Sequence, residues 1–82
     1  MAGTLYLCAT PIGNLKDMTP RVVETLNGVD LIAAEDTRNS RKLLNYFQIH
    51  TPMTSYHEYN KVEKARELIA QLEAGKEIAL IT

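Results

Sequence analysis

Three stretches of the chain are apolar almost without interruption: residues 5–9 (LYLCA), 31–34 (LIAA) and 78–81 (IALI). None alternates with polar residues as a strand with one wet face would. Continuous runs of this length fit parallel strands covered on both faces. Residues 53–57 (MTSYH) form a weaker fourth candidate, with Tyr56 as its strongest strand former. Three helical patterns separate the runs. The first opens on Thr19 as N-cap with Pro20 at the first helical position, carries Val22, Val23 and Leu26 as its buried stripe, and reaches Gly28 where a C-terminal cap belongs. The second starts near Asp36 or Thr37 and places Leu43, Leu44 and Phe47 on one face. In the third, Asn60 stands as cap with Glu63 in capping-box position, and Val62, Ala65, Leu68, Ile69 and Leu72 repeat at helical spacing before Gly75 ends it.

The predicted order is therefore β-α-β-α-β-α-β. Strands joined by helices run parallel through right-handed crossovers, so the expected fold is α/β, an open, doubly wound parallel sheet. The pattern stops on Ile81 and Thr82 inside a buried strand, whereas a parallel strand ordinarily feeds a loop at the functional edge. That leads to the expectation that residues 1–82 are a partial domain of a longer protein.

Composition narrows the picture without changing it. A chain of 82 residues is one small domain at most, burying roughly 60–65% of its unfolded surface. Hydrophobic residues at 45% and charged residues at 23% are those of a folded globular chain, and argue against disorder. A net charge of −1 leaves any nucleic-acid contact to a local patch. The single cysteine, Cys8, provides neither a disulfide framework nor a metal-ligand cluster, and fits a reducing compartment. The start lacks a basic n-region, and no apolar run approaches the ~20 residues of a membrane span. The expectation is a soluble, cytoplasmic protein without a metal site or membrane contact.

Ligands of open α/β sheets bind beyond the carboxyl ends of the strands, where the strand order reverses. The loops there are residues 10–17, 35–38 and 57–60. In the first, Pro11 fixes φ and removes a donor, while Gly13 lets backbone approach a ligand without a Cβ in the way. Such a loop suits an adenosine or carboxylate held by main-chain atoms; the alternative is a plain turn. Neither glycine-rich phosphate motif is present. In the second loop, Glu35 and Asp36 stand beside Arg38 at the tip of an apolar strand. Adjacent acids suit a proton acceptor or a cation site, and helix capping is the alternative for Asp36. Arg38, Arg41 and Lys42 crowd the start of the second helix, the end at which the helix dipole disfavours cations, and read either as a phosphate-binding patch or as a solvated face. His57, with Glu58 at the end of the third strand, reads either as a substrate contact or as a plain histidine without a role in the chemistry.

Taken together, T-P-I-G-N-L at residues 10–15, A-A-E-D-T-R at 33–38 and S-Y-H-E-Y-N at 55–60 resemble the opening of the ribosomal RNA small subunit methyltransferase I family, within the tetrapyrrole (corrin/porphyrin) methylase superfamily. The resemblance runs over essentially the whole chain. It implies the N-terminal domain of a two-domain enzyme that uses S-adenosyl-L-methionine to methylate a ribose 2′-hydroxyl in small-subunit ribosomal RNA. It implies a truncated strand order 3-2-4-1, with a fifth strand and the C-terminal domain absent. By the same resemblance Pro11, Ile12, Gly13 and Asn14 line the cofactor cleft, Glu35, Asp36 and Arg38 serve the chemistry, and Arg38 and His57 meet the substrate; Arg41 joins the substrate contacts on the basic-patch reading alone. A tetrapyrrole or corrin methyltransferase of the same superfamily is an alternative. So, from another class, is a receiver-like domain with paired acids for Mg²⁺, which leaves the first 30 residues unexplained. Without a fifth strand the first strand is an open edge carrying Leu5, Leu7 and the Cys8 region, so the isolated chain is expected to form a homodimer or aggregate and to lack methyltransferase activity.

Overall fold

The apolar runs become four parallel strands. The computed structural model describes residues 2–10, 15–57 and 59–81, and the element order is β1 (Leu5–Cys8), a 3₁₀ turn (Leu15–Asp17), α1 (Pro20–Gly28), β2 (Leu31–Ala34), α2 (Thr37–Tyr46), β3 (Met53–Ser55), α3 (Lys61–Glu73) and β4 (Ile78–Ile81). The sheet order is β1-β4-β2-β3, which from the other end is the expected 3-2-4-1. β4, last in the chain, lies between β1 and β2, with Leu5 opposite Ile78 and Leu31 opposite the same residue on the other side.

The strand periodicity divides the core between the two sheet faces. Ile32 and Ala34 of β2 with Ala79 and Ile81 of β4 pack against Leu26 of α1 and Leu43 and Leu44 of α2. The alternate residues, Ala33 and Ile78 with Leu31 and Leu80, face Leu68 and Leu72 of α3. Two crossovers that step one way across the sheet and a third that steps back put their helices on opposite faces, because all three are right-handed.

The helix ends show which local signals operate. At α1 the Thr19 hydroxyl accepts from the Val22 N–H at 3.3 Å, and Pro20 occupies the first turn. At α2 the Asp36 carboxylate accepts from the Asn39 N–H at 3.1 Å. α3 ends on Gly75 at φ 92, with the Gly75 N–H donating to the Leu72 carbonyl and the Lys76 N–H to that of Gln71, the paired bonds of a Schellman ending. α2 ends in the same way, with Gln48 at φ 56 in the position that usually holds glycine. Ile49 then donates back to Leu44, and both side chains are buried.

Four expectations need correction. Gly28 is not a left-handed cap: it is the last helical residue, and the chain leaves through Val29 in extended conformation. Asn60 is the N-cap residue of α3 by position, but its side chain makes no cap hydrogen bond and is engaged elsewhere, so the capping box with Glu63 does not form. The third strand ends at Ser55 and not at His57. Of the α3 stripe, Leu68 is buried while Val62 is 71% and Ile69 53% exposed, since a single helix on that face reaches only part of the sheet.

Candidate functional site

β2 and β3 are neighbours, with Ala34 beside Ser55, and the Tyr56 N–H extends the ladder to the Ala34 carbonyl at 2.8 Å. The two loops that follow must therefore emerge side by side at the carboxyl edge of the sheet. Between them lies an open groove of about 700 Å³ lined by Glu35, Asp36, Thr37, Arg38, His57 and Lys61. A second hollow, of about 340 Å³, lies beside α1 and is lined by Tyr6, Arg21 and Glu77 among others. Glu77 precedes β4, so this hollow reaches toward the opposite edge, where strand ends do not converge on a ligand.

The groove balances two carboxylates against two cations. Asp36 is occupied locally: besides capping α2, its second oxygen accepts from the Asn39 side-chain amide at 2.7 Å. Glu35 reaches across to α3, where its carboxylate sits 3.4 Å from Lys61 Nζ. Lys61 is the first residue of α3, the end at which the helix dipole disfavours a cation. The Glu35 carboxylate and the Tyr56 ring, whose centroid is 5.9 Å from Nζ, offset that placement. Arg38 is exposed and has no carboxylate partner among the described residues, which leaves its guanidinium available to an anion.

His57 is held from several sides. Its backbone N–H donates to Asn60 Oδ1 at 2.9 Å, and its Nδ1 accepts from the Tyr59 N–H at 3.3 Å. The Asn60 amide donates to Ser55 Oγ at 3.0 Å, tying the turn to the end of β3.

Of the residues singled out from the sequence, Glu35, Asp36, Arg38 and His57 come together in one groove. Arg41 lies farther along α2, exposed, and is not part of the lining. Pro11, Ile12, Gly13, Asn14 and Glu58 lie outside the described residues. Sequence reasoning passed over Thr37 and Lys61. Thr37 sits inside the acidic motif and could have been read there, but the approach of Lys61 to Glu35 depends on β2 and β3 being adjacent, which no local pattern states. Cys8 is buried at the end of β1, and burial pushes its thiol above the ordinary range, away from the reactive thiolate. Among the described residues no helix is long and apolar enough to cross a membrane.

A model of the family Tetrapyrrole (Corrin/Porphyrin) Methylases matches residues 4–82. The chain is 64% identical over 80 residues to a protein of Synechocystis sp. named Ribosomal RNA small subunit methyltransferase I, covering 98% of this chain and 29% of that one. Proteins of the same name from Bacillus subtilis and Pseudomonas aeruginosa are 54% and 48% identical, over 98% and 99% of this chain and 27% and 29% of theirs. The chain thus spans less than a third of the length of these relatives.

Proposed function

The chain belongs to the tetrapyrrole (corrin/porphyrin) methylase family, and from that membership we propose that it is the first part of the N-terminal domain of a cytoplasmic S-adenosyl-L-methionine-dependent methyltransferase acting on small-subunit ribosomal RNA. The acceptor in this reading is a ribose 2′-hydroxyl. The observation that carries it is the groove itself: carboxylates from the β2 loop and cations from the first turns of α2 and α3 line one opening at the carboxyl edge of the sheet. A hydroxyl to be activated and a backbone phosphate to be held call for that pair of chemistries. The family match begins at residue 4, so it takes in the T-P-I-G-N segment that a receiver-like reading leaves out.

S-adenosyl-L-methionine, when bound, supplies the electrophilic methyl group; the protein supplies position and proton handling. Pro11, Ile12, Gly13 and Asn14 follow β1 and would hold the cofactor. The tips of β1 and β4, Cys8 and Ile81, are paired, buried and uncharged, so the strand ends that the segment follows bring no charge of their own to a ligand. Glu35 or Asp36 would orient or deprotonate the ribose hydroxyl. Arg38 would hold a neighbouring phosphate, Arg41 would extend that contact along α2, and His57 would face the substrate from the β3 side. Residues 1–82 alone are inactive in this reading, because the cofactor cleft needs the rest of the protein.

Asp36→Asn in the full-length protein tests the assignment. The expected result is a fall in kcat of ~10²-fold with cofactor affinity retained. Equal loss of both would remove the acid/base role and leave only the cap. The isolated chain is proposed to self-associate through β1, an edge strand with Leu5 46% and Leu7 72% exposed. Sedimentation at rising concentration should show dimer or larger species, and a clean monomer would contradict this.

A further inference from the structure

His57 lines the groove, and its Nδ1 already accepts the Tyr59 N–H at 3.3 Å. A neutral imidazole that accepts at Nδ1 carries its proton on Nε2. The face that His57 can offer a ligand is then a hydrogen-bond donor and not a base. The geometry depends on Asn60. Its Oδ1 takes the His57 backbone N–H at 2.9 Å, its amide reaches back to Ser55 Oγ at 3.0 Å and to the Ser55 carbonyl at 3.4 Å, and its own N–H donates to the His57 carbonyl at 3.1 Å. These bonds close a turn from the end of β3 to the start of α3 and set the Tyr59 amide over Nδ1. The Tyr59 ring meets the imidazole edge-on, with centroids 6.1 Å apart.

We propose that Asn60 is a positioning residue that locks His57 as the Nε2–H tautomer, so that His57 donates a hydrogen bond to an oxygen of the bound nucleic-acid backbone while proton acceptance is left to the carboxylates. The lock is a property of this chain alone; the identity of the acceptor oxygen rests on the RNA reading above. It also explains why Asn60, at the N-cap position of α3, makes no side-chain cap bond: its amide is committed to the turn.

Long-range ¹H–¹⁵N spectra of the labelled 82-residue chain, at about pH 8 where imidazoles are ordinarily neutral, test the lock. His50, exposed and without a side-chain hydrogen bond among the described residues, is the internal control. The expected result is His57 in the Nε2–H form, with a coupling across the hydrogen bond from the Tyr59 amide nitrogen to Nδ1, and His50 as a mixture without it. Asn60→Ala should abolish the coupling and bring the His57 tautomer ratio to that of His50. Asn60→Asp, which keeps an oxygen for the His57 N–H but loses both donors to Ser55, should weaken the coupling without abolishing it. Should Asn60→Ala not fold, Ser55→Ala removes one anchor of the amide and should weaken the coupling. His57 in the Nδ1–H form, or an unchanged coupling in the folded variants, would overturn the proposal. Adding inorganic phosphate, and separately a phosphate-free nucleoside, then distinguishes a phosphate from a ribose acceptor by which one moves the His57 Nε2 signal. An intact lock supports the proposal even where neither ligand moves that signal, a result that counts against the RNA reading instead.

Discussion

The two faces of the sheet are made from the same strands, yet they are not equally covered. On one, α1 and α2 lie side by side, and the buried cluster runs from Cys8 on β1 through β4 and β2, with Met53 of β3 packed against it. On the other, α3 covers Ala33 and Ile78, while Leu5 and Leu7, which lie opposite Ile78 and Leu80 and so share their face, are exposed. Strand spacing explains the difference. Four strands set ~4.8 Å apart span about 14 Å between outer axes, whereas a helix with its side chains is about 10–12 Å across. Two helices cover such a sheet and one does not. What keeps this chain folded is therefore concentrated on the α1/α2 face, while the β1 side of the α3 face leaves Leu5 and Leu7 bare.

The largest expected effect tests that asymmetry directly. Leu26→Ala empties a fully buried position under α1 and should destabilise by ~2–5 kcal/mol, enough to unfold a domain this small. Leu7→Ala, on the bare side, should change stability by less than ~0.5 kcal/mol. Urea denaturation of the two variants checks both, and comparable losses would mean that the α3 face is better packed than its exposures indicate.

Next comes Gly3, whose N–H donates to the Leu72 carbonyl and ties the segment before β1 to the end of α3. A Cβ there would come within 1.8 Å of the Lys76 carbonyl oxygen, which is backbone and cannot swing aside. Gly3→Ala should therefore cost ~1–3 kcal/mol, read as a lower thermal midpoint, and hydrogen exchange should show the loss first at the C-terminal end of α3.

The helix endings of the two faces form a matched pair. Gly75 ends α3 and Gln48 ends α2, both left-handed, at φ 92 and 56. Gly75→Ala should destabilise by about 1 kcal/mol and Gln48→Gly should stabilise by a similar or smaller amount, because only glycine adopts this backbone without strain. Shifts of opposite sign, each on the order of 4–8 °C per kcal/mol in a domain of this size, are the expected calorimetric result. Shifts of the same sign would mean that the Gln48 side chain stabilises its turn by more than the strain.

The smallest effect belongs to the carboxyl edge of the sheet. Glu35→Gln should move stability by less than ~0.5 kcal/mol, because its pair with Lys61 is largely exposed at 61% and 46% of the two side chains. A loss above 1 kcal/mol would make the pair structural and weaken its assignment to the site.

Much of this organisation is legible in the chain, and the exceptions share a cause. Thr19, Pro20, Asp36 and Gly75 act at their own helix ends, through bonds spanning a few residues, and local sequence is enough to place them. Gln48 was not legible, because a left-handed non-glycine residue is held by its helix ending and the burial of Ile49 against Leu44 and not by its own preference. Asn60 was misread for the related reason that a cap and a turn clamp use the same side chain, and only the position of Ser55 at the end of β3 decides between them. In the groove, the acids and Arg38 announce themselves as one motif, whereas Lys61 reaches it from a helix 26 positions beyond Glu35.

By itself, then, the sequence determined the α/β class, the parallel sense of the strands, the starts of α1 and α2 and the candidate acids, since each follows from periodicity or from contacts spanning a few residues. Which loops meet was implied by the family resemblance through its strand order, but no periodicity or local contact states it, and physically the tertiary packing decides it. β3 pairs with the side of β2 that β4 leaves free, and that adjacency brings Glu35 to Lys61 and sets His57 across from Asp36 and Arg38. The same strand order leaves β1 as an edge. Strand order is fixed by the packing of whole helices against a sheet, an interaction between segments distant in sequence, and no local pattern of residues encodes it.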